Sequence, residues 1–111
     1  ESNLMRRRDL MHTTKAAKFH PGNIVATPGA LEAIRASGQS PETFLAAHLD
    51  GYWGGDLCEE DRLLNDEALL DGSRLLSAYR TLRGERLWVI TEAVGDDGRR
   101  ASTCLLLPED Y

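Results

Sequence analysis

Little in this chain suits covalent cross-linking, a membrane or a nucleic-acid coat. Its 111 residues include two cysteines, Cys58 and Cys104, too few and too far apart for a disulfide framework or a zinc knuckle. Idle thiols in a reducing compartment are what they imply. No apolar run approaches the ~18–20 residues of a membrane span, and no signal-peptide pattern is present. A soluble, cytoplasmic protein is therefore expected. Basic residues are outnumbered, thirteen Lys and Arg against eighteen Asp and Glu, for a net charge of −5. That balance disfavours nonspecific nucleic-acid binding, which needs cations to displace counterions from phosphates. Walker-type phosphate loops, dinucleotide fingerprints, H-E-x-x-H and G-x-S-x-G are absent as well, and no cofactor is expected.

What is present fits one domain. The length leaves no room for a second, and 41% hydrophobic residues can fill a single core without a structural metal. Residues 1–19 read as a flexible tail carrying the basic cluster Arg6-Arg7-Arg8. Met5 or Met11 is a candidate natural start, with the residues before it a leader or remnant. Residues 20–111 read as a single α+β domain.

Within that domain, Asn23–Ala26 is a short strand candidate. Thr27-Pro28 and Ser40-Pro41 are two helix starts, each pairing a capping hydroxyl with a proline at the first helical position. The predicted helices run over Pro28–Ala36, with Leu31 and Ile34 on one face, and Pro41–Leu49, with Phe44, Leu45 and Leu49 inward. A third is expected from Glu59 to Leu64, with Leu63 and Leu64 inward, broken at Asn65-Asp66 before a last turn to Leu70. The rest, Ser73–Leu107, alternates in three segments separated by Arg83-Gly84 and Asp96-Asp97-Gly98. This predicts a three-stranded antiparallel meander. Both faces of that sheet are partly apolar, so one packs on the helices and the other is left for the N-terminal segment or a second subunit.

Three sets of residues invite a chemical reading. His48, Asp50, Asp56 and Cys58 have metal-ligand character, but their spacing matches no dedicated site, and no metal is expected. His48, Arg74, Tyr79 and Glu92, with Ser77 and Thr91 nearby in sequence, are the types needed for metal-independent phosphodiester cleavage. Arginine would stabilise phosphate charge while His or Glu moves protons. Strand alternation works against that set, because Arg74 and Ser77 face opposite sides. The third set is Trp53 with Glu59, Glu60, Asp61, Asp66 and Glu67, an aromatic beside an acidic helix that would suit a basic or nucleic-acid-binding protein partner.

Several segments resemble a family of small bacterial proteins. They are Ile24-Val25-Ala26-Thr27-Pro28-Gly29-Ala30-Leu31, His48 with Gly51-Tyr52-Trp53-Gly54, Arg74–Tyr79, Trp88–Glu92, and the ending Leu105–Tyr111. The family is associated with plasmids and integrative elements, and its members are often labelled "plasmid-related protein" or "type I restriction endonuclease subunit M". The resemblance spans about residues 20–111. It departs at Tyr52, where an acidic residue is expected before the Trp, and in a longer final hairpin through Gly95–Gly98. It implies an accessory role in mobile elements, which the acidic helix makes one of macromolecular binding, directed against a host defence; the second apolar sheet face leaves a homodimer as one assembly. Methyltransferase activity does not follow, because the chain lacks both a cofactor-binding domain and an N/D-P-P-Y/F motif. A ribonuclease-like enzyme is the alternative, on the architectural likeness of helices followed by an antiparallel sheet.

Overall fold

The computed structural model describes residues 17–111; the basic cluster Arg6–Arg8 and most of the expected tail lie outside them. Strand β1 (Asn23–Ala26) leads into helix α1 (Pro28–Ala36), helix α2 (Pro41–Leu49) and helix α3 (Glu59–Asp71). Strands β2 (Leu75–Arg80), β3 (Arg86–Thr91) and β4 (Ser102–Leu106) follow, and a short 3-10 turn at Pro108–Asp110 closes the chain.

The α+β class and the antiparallel meander β2–β3–β4 are as expected, but the sheet is larger and mixed. Its order is β1-β4-β3-β2, with β1 parallel to β4. Strand β1 falls where the sequence places it; its parallel pairing is beyond local pattern, because its partner lies some eighty residues on.

Local chemistry accounts for the helix ends. The Thr27 hydroxyl accepts from the Ala30 amide at 3.1 Å, and Pro28 holds the first helical position. Ser40 sits at the corresponding place before α2, yet its side chain makes no capping bond there; Pro41 and Glu42 supply the start signal. α3 is one unbroken helix, against the expected break at Asn65. Its inward side is set by Asn65 and Ala68, which turns Leu63 and Leu64 outward. Gly72, at φ +83°, ends it.

One face of the sheet carries α1 and α2. Ala30, Ile34 and Phe44 pack there against Tyr79, Leu87, Val89 and Leu105, each fully buried large side chain contributing roughly 1.5–3 kcal/mol. α3 and the preceding loop flank β2, where Trp53, Leu57 and Ala68 meet Leu75 and Ala78. On the opposite face Tyr111 lies edge-on to Trp88 at 5.8 Å. Arg74 reaches over the Tyr111 ring, with a guanidinium N–H donating to its hydroxyl at 3.0 Å.

Candidate functional site

The densest polar constellation is buried between α2 and the sheet. Ser77, Thr91 and Thr103 interrupt otherwise apolar strands on one face; Thr91 and Thr103 are directly paired across β3 and β4, and Ser77, opposite Val89, sits diagonally from Thr91 on β2. His48 from α2 lies over them, and all four side chains are fully buried. The chain of hydrogen bonds has one consistent polarity. The Pro21 carbonyl can only accept, so the Thr103 hydroxyl donates to it at 2.8 Å. Thr91 must then donate to Thr103 at 2.6 Å, and His48 Nε2–H to Thr91 at 2.8 Å. Nδ1 is left as the acceptor, and the Ser77 hydroxyl donates to it at 2.6 Å. This network assigns the Nε2–H tautomer.

The electrostatics agree with a neutral ring. Burial, with the Arg100 cation adding to it, pushes His48 from 6.5 down to about 3. Phe19 and Trp53 close over the imidazole edge-to-face at 5.2 and 5.8 Å. A serine donating to a histidine resembles half of a nucleophilic pair, but neither atom can be reached from solvent. The network bolts α2 and the Pro21 segment to three strands.

The four residues of the nuclease reading are not assembled into one cleft. His48 and Tyr79 are buried on the helix-bearing face. The Tyr79 hydroxyl donates to the Tyr52 carbonyl at 2.5 Å, and burial pushes the phenol well above its usual range. Arg74 and Glu92 are exposed, and Arg74 extends over Tyr111 on the far face. A cleft of about 910 Å³ lies between the β3–β4 hairpin and the His20–Asn23 loop, and a groove of about 690 Å³ runs along α2 beside Phe19; none of the four residues lines either. Among the described residues no group of three His, Cys, Asp or Glu side chains is placed to hold a metal, so His48, Asp50, Asp56 and Cys58 do not converge.

The acidic set divides between structure and surface. Trp53 is buried, its indole N–H donating to Asp66 at 3.0 Å, so it anchors its loop to α3 and offers no surface. Asp61 is half-buried, while Glu59, Glu60 and Glu67 face solvent. With them stand Leu63 and Leu64, which the sequence places inward, and Leu70, at the end of the expected last turn: they are 53%, 61% and 90% exposed. At 100° per residue they share the outer half of the helix with Glu60, Glu67 and Asp71. The signal for this was available in Asn65 and Ala68, which set a different inward phase from the one the leucines suggested.

Comparison with protein-family models, with curated proteins and with solved structures finds no match. No helix of the described residues is long and apolar enough to cross a membrane.

Proposed function

We propose that the protein is an accessory factor of mobile genetic elements that works in the cytoplasm by binding, with the outer side of α3 as its contact surface and a basic host protein as its partner. The observation that carries this reading is the pairing of three exposed leucines with the carboxylates Glu60, Glu67 and Asp71 on the outer side of one 13-residue helix, with Glu59 exposed beside them. Leucines at such exposure contribute nothing to the core, and clustered exposed apolar side chains mark interaction sites. The surrounding carboxylates select for positive charge and speed encounter. The resemblance to plasmid-associated proteins supports the biological setting, and a nucleic-acid-handling component of a host defence has the required basic surface. The nuclease alternative receives no such support, since its proton-transfer candidate is sealed within the core.

The test is affinity capture from bacterial lysate with the intact chain, beside a Leu63→Ser/Glu67→Gln/Leu70→Ser variant. These positions are exposed, so the variant should fold normally. A specific basic protein should be retained by the parent, lost by the variant, and weakened several-fold between about 0.05 and 0.3 M salt, as screening shortens the Debye length. Equal capture by both chains, or no specific partner, overturns the assignment.

A further inference from the structure

The other feature that calls for a partner is the free edge of β1, and it is independent of α3. The Asn23 and Thr27 amides donate to the Ala101 carbonyl just before β4 and the Leu105 carbonyl within it, at 3.0 Å each. By alternation the N–H and C=O groups of Ile24 and Ala26 point away from the sheet. Among the described residues nothing pairs with them. The side chains beside them are apolar and open, Ile24 at 51% and Val25 at 50% exposure, on opposite faces.

Natural edge strands are commonly blunted by charge, proline or a bulge. β1 has none of these within Asn23–Ala26. The absence of charge extends well beyond it. From Phe19 to Leu31, thirteen residues contain no Asp, Glu, Lys or Arg, the longest such stretch in the chain. Its sheet neighbour is likewise uncharged from Ala101 to Pro108. Asp110, an exposed carboxylate near the end of β1, is engaged locally, accepting from the Thr27 hydroxyl at 2.6 Å and the Leu107 amide at 3.1 Å.

We infer that this edge is a self-association surface and that its occupant is β1 of a second copy. Two molecules of net charge −5 repel one another over most of their surfaces, and the β1–β4 side is where that repulsion is least. An antiparallel pairing about a two-fold axis through Val25 sets Ile24 against Ala26 of the second copy, and Ala26 against its Ile24. About four backbone hydrogen bonds result, Val25 meets its own counterpart, and two four-stranded sheets become one of eight strands. So short a strand buries less than a standard interface, and the dimer is expected to be weak, on the order of micromolar or above.

Salt gives this contact a signature opposite in sign to that of the α3 surface. Screening removes repulsion between like-charged copies, so association should strengthen as salt rises. Sedimentation of the full chain from about 5 to about 500 µM should show a monomer–dimer equilibrium that shifts several-fold toward dimer in high salt. Val25→Lys should abolish it by placing like charges at the axis. Ile24→Pro should abolish it by removing an outward donor while leaving the bonds to β4 intact. Circular dichroism should show both variants folded. Amide exchange at Ile24 and Ala26 should slow with concentration in the parent. A monomer throughout the range overturns the inference, as does a dimer that survives either variant. Concentration-independent protection of the two amides also overturns it, since that would mean the chain covers its own edge.

Discussion

β2 and β1 are both outer strands of one sheet, yet among the described residues only β2 has its outward backbone groups occupied. The Asn65 side chain donates to the Leu76 carbonyl at 2.6 Å and accepts from the Leu76 amide at 3.0 Å, standing in for a neighbouring strand. Two residues on, the Ala78 amide donates to the Trp53 carbonyl at 2.9 Å, and the Asp56 amide donates to the Ala78 carbonyl at 3.3 Å. Arg62 holds the loop from behind by donating to the Gly54 carbonyl at 2.5 Å. Among the described residues β1 has no counterpart to any of this. The difference gives the aromatic, glycine-rich stretch Tyr52–Asp56 a physical purpose, which is to close a sheet edge. It also separates edge protection that the fold builds in from an edge that the fold leaves available.

The comparison breaks most sharply at Gly54. At φ +97° this residue brings the loop so close to β2 that an added Cβ would sit 2.0 Å from the Ala78 carbonyl oxygen. Gly54→Ala must therefore lift the loop from the edge, losing the Trp53 and Asp56 bonds together. A destabilisation of more than about 3 kcal/mol is expected, from combined clash, backbone strain and lost pairing. The neighbouring Gly55 has open space around its Cβ position and no positive φ. Gly55→Ala should be neutral or slightly stabilising. Urea denaturation of the two variants side by side checks this, and similar midpoints would refute the close-approach argument.

Much of this architecture was legible in the sequence, and what was not has a common cause. Thr27-Pro28, the end of α2 and the three meander strands are written in short-range signals of capping, alternation and turns. The parallel β1–β4 pairing and the edge role of Asn65 are contacts at long separation. Asn65 read locally as a helix breaker, because an amide side chain in mid-helix competes with its own backbone. Its amide is instead satisfied by Leu76, so the helix continues through it. The candidate site shows the same division. Ser77, Thr91 and Thr103 were visible as polar residues in apolar strands, but the sequence could not show that His48 would consume their hydrogen bonds and leave nothing for catalysis.

A smaller effect sharpens the comparison from inside the molecule. His48 is held neutral in the fold, with its ring pushed to about 3, whereas the unfolded chain takes up a proton at about 6.5. Between those values the unfolded state binds more protons, so the contribution of the buried neutral ring is fully present above about 6.5 and is lost as pH falls. The slope is about 1.4 kcal/mol per pH unit, or about 2 kcal/mol lost by pH 5. Denaturation midpoints at pH 7 and pH 5 should show this fall, above the range where carboxylates titrate. His48→Leu should lower stability at pH 7 while flattening the profile between pH 7 and 5. An unchanged slope in the variant would show that another group supplies the pH dependence.

The smallest expected effect concerns how the sealed edge is fastened at its hairpin end. Arg80 and Arg86 are directly opposed across β2 and β3, an arrangement of like charges that is unfavourable by itself. Asp56 lies between them, one carboxylate oxygen 3.2 Å from Arg80 Nε and the other 3.3 Å from Arg86 Nε. Both arginines are more than half exposed, so each pair is worth only about 0.2–1 kcal/mol after screening. Asp56→Ala removes both attractions and uncovers the repulsion, but keeps the amide that donates to Ala78. The expected loss is about 1 kcal/mol at low salt, shrinking as salt rises, with amide exchange across Leu76–Ala78 unchanged. A larger loss that salt does not relieve would mean that the Asp56 carboxylate positions the loop, and that the seal on β2 depends on charge as well as on backbone pairing.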